Sequence, residues 1–544
     1  MLPDHPKKTM IFQSLKEFIL SQPRTKSPEY WGPQFKLTQA DIEHIYNHFL
    51  EVERPQTAEQ IARQVITFRV KEEARTVARQ LKGHKIYRPK ESYEVGESLV
   101  FPSLKFANGK VVSQRTGYNP QYGSFNVIAV ELNGKTREFA ADLQIDHPLN
   151  DLDVETLAQV EEADIEEIVE AFGHLVVDHL HQALTEHENF VRLADEWFVK
   201  GLMAEVNIGH LHLAEAVLEI NEGGPLPPEE ILPHLDMDPA LDLSVQRFSL
   251  NYALLHDDRF DEVAPPGKVA WYLRRLEPNE VQAVPERLRY KPIPYDRALL
   301  NSQLLLLERE LDDEWSEFAA ETGPQPVVFT LSYPHRWAGT IPLSSRIRPL
   351  FPTGTSPRQL VEFIDDETNE TFQGWVVKEH RYIFGLKEWY DKNGIPIGGF
   401  VHLKPGPKPG TVYIGYDRRR PQREWVRLAS VQDNRIKFEL KRRSVGCGFD
   451  DLLIVGTDVV AAIDALWRRA ENNQRSVVSL MAEIFPELAN LTPQNTVHAK
   501  TLYSAINMMR RIPPGPLFAE LVRHPAFQPV GDHYWKFDSA QWQS

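Results

Sequence analysis

In VKEEARTVARQLK, residues 70–82, the apolar Val70, Ala74, Val77, Ala78 and Leu81 recur at helical spacing. Lys71, Arg75, Arg79 and Lys82 fall at i, i+4, i+8 and i+11 on a second stripe that is entirely basic. A helix with one face for a core and one line of cations has the form that docks into a DNA groove. Glu72 and Glu73 offer the alternative of a solvated helix with local ion pairs. Upstream, TAEQIARQV carries Thr57 as a helix cap with Gln60 three residues on, and a separate helix is expected to start near Val70. The segment 37–88 therefore reads as helix-turn-helix, after an amphipathic helix and linker in 1–36.

The period changes at 89–150, where YEVGESLVF, GKVVSQR, FNVIAVEL and KTREFA alternate between NG and YNPQYG turn signals. A small, roughly five-stranded barrel of the SH3 or OB kind is expected. Tyr118, Tyr122 and Phe125 near Arg115 suit base stacking or a plug for the barrel's own core. A helical linker follows at 151–189, with Val154, Leu157, Val160, Ile165, Ile168 and Val169 as its apolar side. Helices then return, and twice they end alike. In DDRFDEVAPPGKVAWYL (257–273) and HPAFQPVGDHYWKF (524–537), a Phe is followed by Val three residues later, a Gly turn and a Trp-led apolar triplet. Both read as hairpins closing a set of helices, over 190–276 and 461–544. Between them lie a Pro-rich linker and helix (277–325) and a larger β-rich region (326–460).

Charge sharpens this picture only once it is located. The net −16 arises almost wholly between Glu138 and Val191, which hold fifteen Asp or Glu and no Lys or Arg. Between Asp417 and Val445 the balance reverses to ten cations against four acids: Arg418, Arg419, Arg420, Arg423, Arg427, Arg435, Lys437, Lys441, Arg442 and Arg443, interleaved with Trp425 beside Tyr416. Clustered Arg suits phosphate because its fork binds two oxygens. Lys500, Arg510 and Arg511 are further phosphate candidates.

Other chemistry is sparse. Cys447 is the sole cysteine, which excludes a disulfide framework and thiolate metal sites and reads as a buried thiol. His174, His179, His181 and His187 lack the i, i+4 spacing of helical zinc pairs, so no metal or cofactor is expected. Nucleotide-loop, nucleophile-elbow and zincin motifs are absent from the sequence. Asp365, Asp366, Glu367 and Glu370, with Lys378, outline a Mg²⁺-dependent nuclease as a minor alternative. No apolar run reaches membrane-span length and the N-terminus is no secretion signal, so a cytoplasmic protein without a membrane partner is expected.

The F, V, G and Trp-led pattern resembles winged-helix domains of the HARE-HTH type, which the delta subunit of bacterial RNA polymerase also resembles. The stretch GWVVKEHRYIFGLKEWYDKNGIPIGGFVHL (374–403) is similar to B3-type DNA-binding pseudobarrels. Such families imply association with DNA or RNA polymerase and no catalytic centre. The expectation is an α+β multidomain chain of several winged-helix units, a small SH3/OB-like barrel and a larger B3-like domain. It would be a non-enzymatic protein binding nucleic acid or a transcription complex through Lys71, Arg75, Arg79, Lys82, Arg418, Arg419, Arg420, Arg423, Arg427, Lys441, Arg442 and Arg443. The alternative is an interaction scaffold whose acidic 138–191 segment occupies a protein partner's basic surface.

Overall fold

A computed structural model describes residues 24–81, 85–104, 107–132, 134–150, 162–351, 356–454 and 456–542. Lys82, Val154, Leu157, Val160 and most of the helix expected in 1–36 lie outside the described residues. The chain is mixed α+β with several sheets, one of them a curled half-barrel. It divides into two compact units, residues 1–205 with 238–249, and 206–237 with 250–544.

In the first unit, helix Gln39–Val52 leads through strand Gln56–Thr57 into helix Ala58–Leu81. This is one continuous helix of 24 residues, not two with a start near Val70. Nothing between Thr57 and Val70 breaks a helix, and Arg69 midway is clamped by the buried Asp41, donating from Nε to Oδ1 at 2.7 Å. The expected cap is present: the Thr57 amide donates to Gln60 Oε1 (2.8 Å) and the Gln60 amide to Thr57 Oγ1 (3.4 Å). A five-stranded sheet spanning Lys85–Ala141 follows, its first pair parallel and the others antiparallel. Helix Glu162–Thr185 then buries Ile165, Ile168, Val176, Leu180 and Leu184 and leads into the hairpin Phe190–Leu193/Glu196–Val199. From sequence, residues 190–199 fall in the helix-plus-hairpin segment 190–276, with no hairpin expected there. Instead they form this hairpin, which pairs with Gln56–Thr57, so this unit's order of elements is helix, strand, helix, inserted sheet, helix, hairpin.

In the second unit the same order ends the chain without an insertion. Helix Val477–Ala489, strand Val497–His498, helices Ala499–Ile506 and Pro514–Arg523, and hairpin Phe527–Gly531/Tyr534–Phe537 follow one another, with the first strand again paired to the last. A related order runs from helix Ile208–Ile220 to strand Trp271–Leu273, where Leu226 bridges to Trp271. In each set a buried Trp (Trp197, Trp271 or Trp535) on the last strand faces the first strand's residue, namely Gln56, Leu226 or Val497. The third copy escapes a search for the Phe–Gly–Trp pattern because its turn uses Ala194 at φ 50° where the others use Gly, and because a sheet interrupts its helices.

Residues 327–416 form a seven-stranded sheet whose strand Arg358–Asp365 runs parallel to Thr411–Tyr416 and antiparallel to Thr371–Val377. Gly374 lets the chain pass Phe363, whose ring atom would lie 2.5 Å from an added Cβ. The sheet closes over Val361, Phe363, Val376, Ile383, Val401, Leu403, Val412 and Ile414. Buried Cys447 joins that core; burial pushes its thiol up to about 11, as suits an inert side chain.

Candidate nucleic-acid interface

The basic segment forms one long antiparallel ribbon, Arg418–Gln432 against Arg435–Cys447, turning through Asp433 and Asn434 at φ 50° and 57°. Such a two-residue turn with both central residues left-handed fixes the register and matches the strand twist. Near the turn the ribbon is anchored, with Ala429, Ile436 and Phe438 buried in the C-terminal core and Val426 and Leu428 in a smaller cluster. Away from the turn the strands continue as RRRPQREW and LKRRS, exposed from Arg418 to Trp425 and from Leu440 to Ser444.

Side chains alternate across such a ribbon, so register sorts the cations. Arg423, Trp425 and Arg427 stand opposite Ser444, Arg442 and Leu440 on one face; Glu424 and Val426 stand opposite Arg443 and Lys441 on the other. The second face is compensated: Lys441 pairs with Glu439 at 2.5 Å, and Arg443 pairs with Asp458. On the first face, Arg423, Arg427 and Arg442 have no ion pair among the described residues. Arg427 donates to the Asp451 carbonyl, and Arg442 lies over Trp425 with its guanidinium carbon 5.3 Å from the ring centroid. Trp425 is 61% exposed and Leu440 42%. This face combines cations that have no ion pair among the described residues with a largely exposed indole that Arg442 overlies, a combination of the kind used for phosphate contact and base stacking.

The remaining sequence-predicted cations divide. Arg418 pairs with Glu367 and stacks on Tyr416, and Arg419 pairs with Asp417 at 2.7 Å, while Arg420 is exposed with no ion pair among the described residues. On helix Ala58–Leu81, Lys71, Arg75 and Arg79 are exposed, with Arg75 paired to Glu72 at 2.8 Å. Lys500 is no surface contact: it is buried between Glu310 and Asp450, each at 2.5 Å. Arg511 is also buried, against Asp313 at 2.7 Å and Glu314 at 2.6 Å. Tyr118 and Tyr122 project into solvent and do not plug the small sheet's core, which Tyr87, Tyr93, Phe101 and Ile128 fill.

Of the acids suspected of holding Mg²⁺, Asp366 is exposed, while the other three are engaged by neighbours. Asp365 is buried and accepts from Trp389 Nε1 (2.7 Å) and from the Glu367 and Thr368 amides, bonds that outweigh burial and hold its carboxyl below the usual range. Glu367 and Glu370 pair with Arg418 and Lys392. His179 and His181 pack against Phe35 and Trp197. Among the described residues no three His, Cys, Asp or Glu gather as a metal site, and no helix is long and apolar enough to cross a membrane.

The Trp425 face was legible as composition but not as a face, because alternation through RRRPQREW means nothing until the partner strand is known. No family model, curated protein or solved structure matches this chain.

Proposed function

We propose that this chain binds nucleic acid through the exposed face of the 418–447 ribbon. The carrying observation is that Arg423, Arg427 and Arg442, none with a carboxylate partner among the described residues, flank the exposed indole of Trp425. A two-stranded ribbon fits the major groove of duplex DNA, where guanidinium forks reach phosphates and base edges. An exposed Trp beside Arg equally suits unpaired bases. The three helix-and-hairpin sets are read as winged-helix units, supported by their common strand pairing and Trp position. The reading of 326–460 as B3-like rests on the 374–403 resemblance alone, and a place in a transcription complex on the family resemblance alone.

Fluorescence anisotropy with labelled duplex and single-stranded oligonucleotides, at two salt concentrations without Mg²⁺, tests the assignment. Affinity should fall steeply with salt, and each of Arg423→Gln and Arg442→Gln should reduce the logarithmic salt slope by about 1. Double reversal, Arg423→Glu with Arg442→Glu, should weaken binding at least tenfold. An unchanged affinity in the folded double variant would refute the ribbon as the interface.

A second reading, protein scaffolding, is favoured by the helices that precede the hairpins. Arg247 on Leu243–Leu255 is paired with Glu196 at 2.8 Å, and Arg523 on Pro514–Arg523 with Glu520 at 2.7 Å. Helix Glu162–Thr185 has no Lys or Arg, and its exposed Glu167, Glu170 and Asp178 form an acidic side suited to a basic protein partner. These helices are poor candidates for groove insertion. Protein binding that survives ribbon reversal and is lost in Glu167→Lys/Glu170→Lys would support scaffolding.

A further inference from the structure

Within the second unit, a cavity of about 260 Å³ opens between the 289–291 segment, helix Val460–Asn472 with the residues after it, and the Met509–Arg511 turn. Arg289, Lys291, Arg475, Arg510 and Arg511 line it, against a single carboxylate, Glu471. Like charges are not assembled around a concavity without cost, so what offsets each one is informative.

Arg475 is neutralised by Glu483 at 2.6 Å, and Arg511 by Asp313 and Glu314. Lys291 lies 3.9 Å from Glu471. That leaves two guanidiniums with only backbone partners among the described residues: Arg510 donates to the Arg475 carbonyl at 2.7 Å, and Arg289 to the Val284 carbonyl at 3.4 Å. A second, independent feature lies deeper. Arg511 is 3% exposed, and its Nε has no hydrogen-bond partner among the described residues although both terminal nitrogens are bonded. A buried guanidinium donor left unpaired costs free energy comparable to a lost charged hydrogen bond, and this side chain lines the cavity.

We propose that this cavity binds a small phosphate monoester. Two uncompensated guanidiniums match the charge of about −1.5 to −2 that such a group carries at neutral pH. Its oxygens suit the guanidinium forks of Arg289 and Arg510. The cavity is larger than a lone ion needs, and Trp467, Ala470 and Met509 supply an apolar wall for a compact organic part. The site is separate from the ribbon face and does not depend on it.

Isothermal titration of the full chain with inorganic phosphate, adenosine monophosphate and adenosine tests this. The expected result is that the monophosphate binds more tightly than inorganic phosphate, that adenosine does not bind, and that Arg289→Gln/Arg510→Gln loses at least tenfold in affinity. Arg289→Glu alone is the fallback should the double variant misfold; Arg289 is exposed, so folding should persist while affinity falls. The ribbon variant Arg423→Glu/Arg442→Glu should bind the monophosphate normally, which separates this site from the proposed function. The proposal is overturned if neither phosphate binds at millimolar concentration, if binding survives the cavity variants, or if those variants lose oligonucleotide binding while small phosphates never bind, the last marking the cavity as a nucleic-acid phosphate contact.

Discussion

Two groups of arginines in the second unit differ in what stands opposite them. On the ribbon, Arg423 and Arg442 face solvent and an indole, with no ion pair among the described residues. In the turn between helices Ala499–Ile506 and Pro514–Arg523, Arg511 is sealed in with Asp313, Glu314, Tyr503 and Asn507, with Tyr503 donating to Asp313 Oδ2 at 2.6 Å and His335 lying 3.1 Å from Glu314 through Nε2. Water solvates the first group, so its charge remains available to a partner. The second has lost its water and is answered by protein, so its charge is spent on the fold. The same residue type is thus left to solvent in one place and is an internal tie in the other.

The sharpest break of this contrast is Arg511→Met. Removing one partner of a buried ionic group leaves Asp313 and Glu314 uncompensated, and the loss should be about 3–5 kcal/mol in urea denaturation. Adding Asp313→Asn and Glu314→Gln should recover part of it, because the orphaned charges go too. If Arg511→Met cost no more than a surface substitution, the buried group would not be a tie.

A smaller effect should appear at Glu277, where a buried acid is less completely answered. Burial, and then the neighbouring Asp261, push its carboxyl up to about 8 against the pull of Arg358. A raised carboxyl favours the protonated form in the folded state. Its stabilising effect is therefore full below the ordinary carboxylate range near 4.5 and is lost as pH rises through about 8. Stability of the native chain should fall over that window by on the order of a few kcal/mol, and Glu277→Gln should flatten the profile. A profile unchanged by Glu277→Gln would place the titration elsewhere.

The contrast also explains what could be read from the chain beforehand. Strands with apolar alternation, such as TVYIGY and TFQGWVV, announce themselves because one face is buried. The arms of the ribbon do not: RRRPQR forms a strand only because its inner half is anchored by Val426, Leu428, Ile436 and Phe438 and the turn extends the register outward. Its cations could be counted from sequence, but which of them are compensated depends on Asp458, Glu367 and Glu487, brought close only by the fold. Lys500 and Arg511 misled for the same reason, since their acids are distant in sequence: Asp450 and Glu310 lie 50 and 190 residues from Lys500, and Asp313 lies 198 from Arg511. Helix Ala58–Leu81 was assigned correctly in type and wrongly in extent, because capping signals mark where a helix can begin and not whether the previous one has ended.

The smallest expected change in stability belongs to the ribbon itself, and it is the most useful discriminator. Trp425 and Arg442 touch each other and solvent, so truncating either removes at most one exposed cation–π contact, about 0.5–1 kcal/mol, and leaves no buried group unsatisfied. Trp425→Ala should therefore unfold at nearly the native urea midpoint. Its affinity for single-stranded oligonucleotide should nevertheless fall by about 1–3 kcal/mol if a base stacks on the indole. Binding lost with stability kept identifies a side chain held outward for a partner. If both were kept, Trp425 would have no base-stacking role; if both were lost together, the exposed end of the ribbon would be a structural element and its arginines would have to be assigned again.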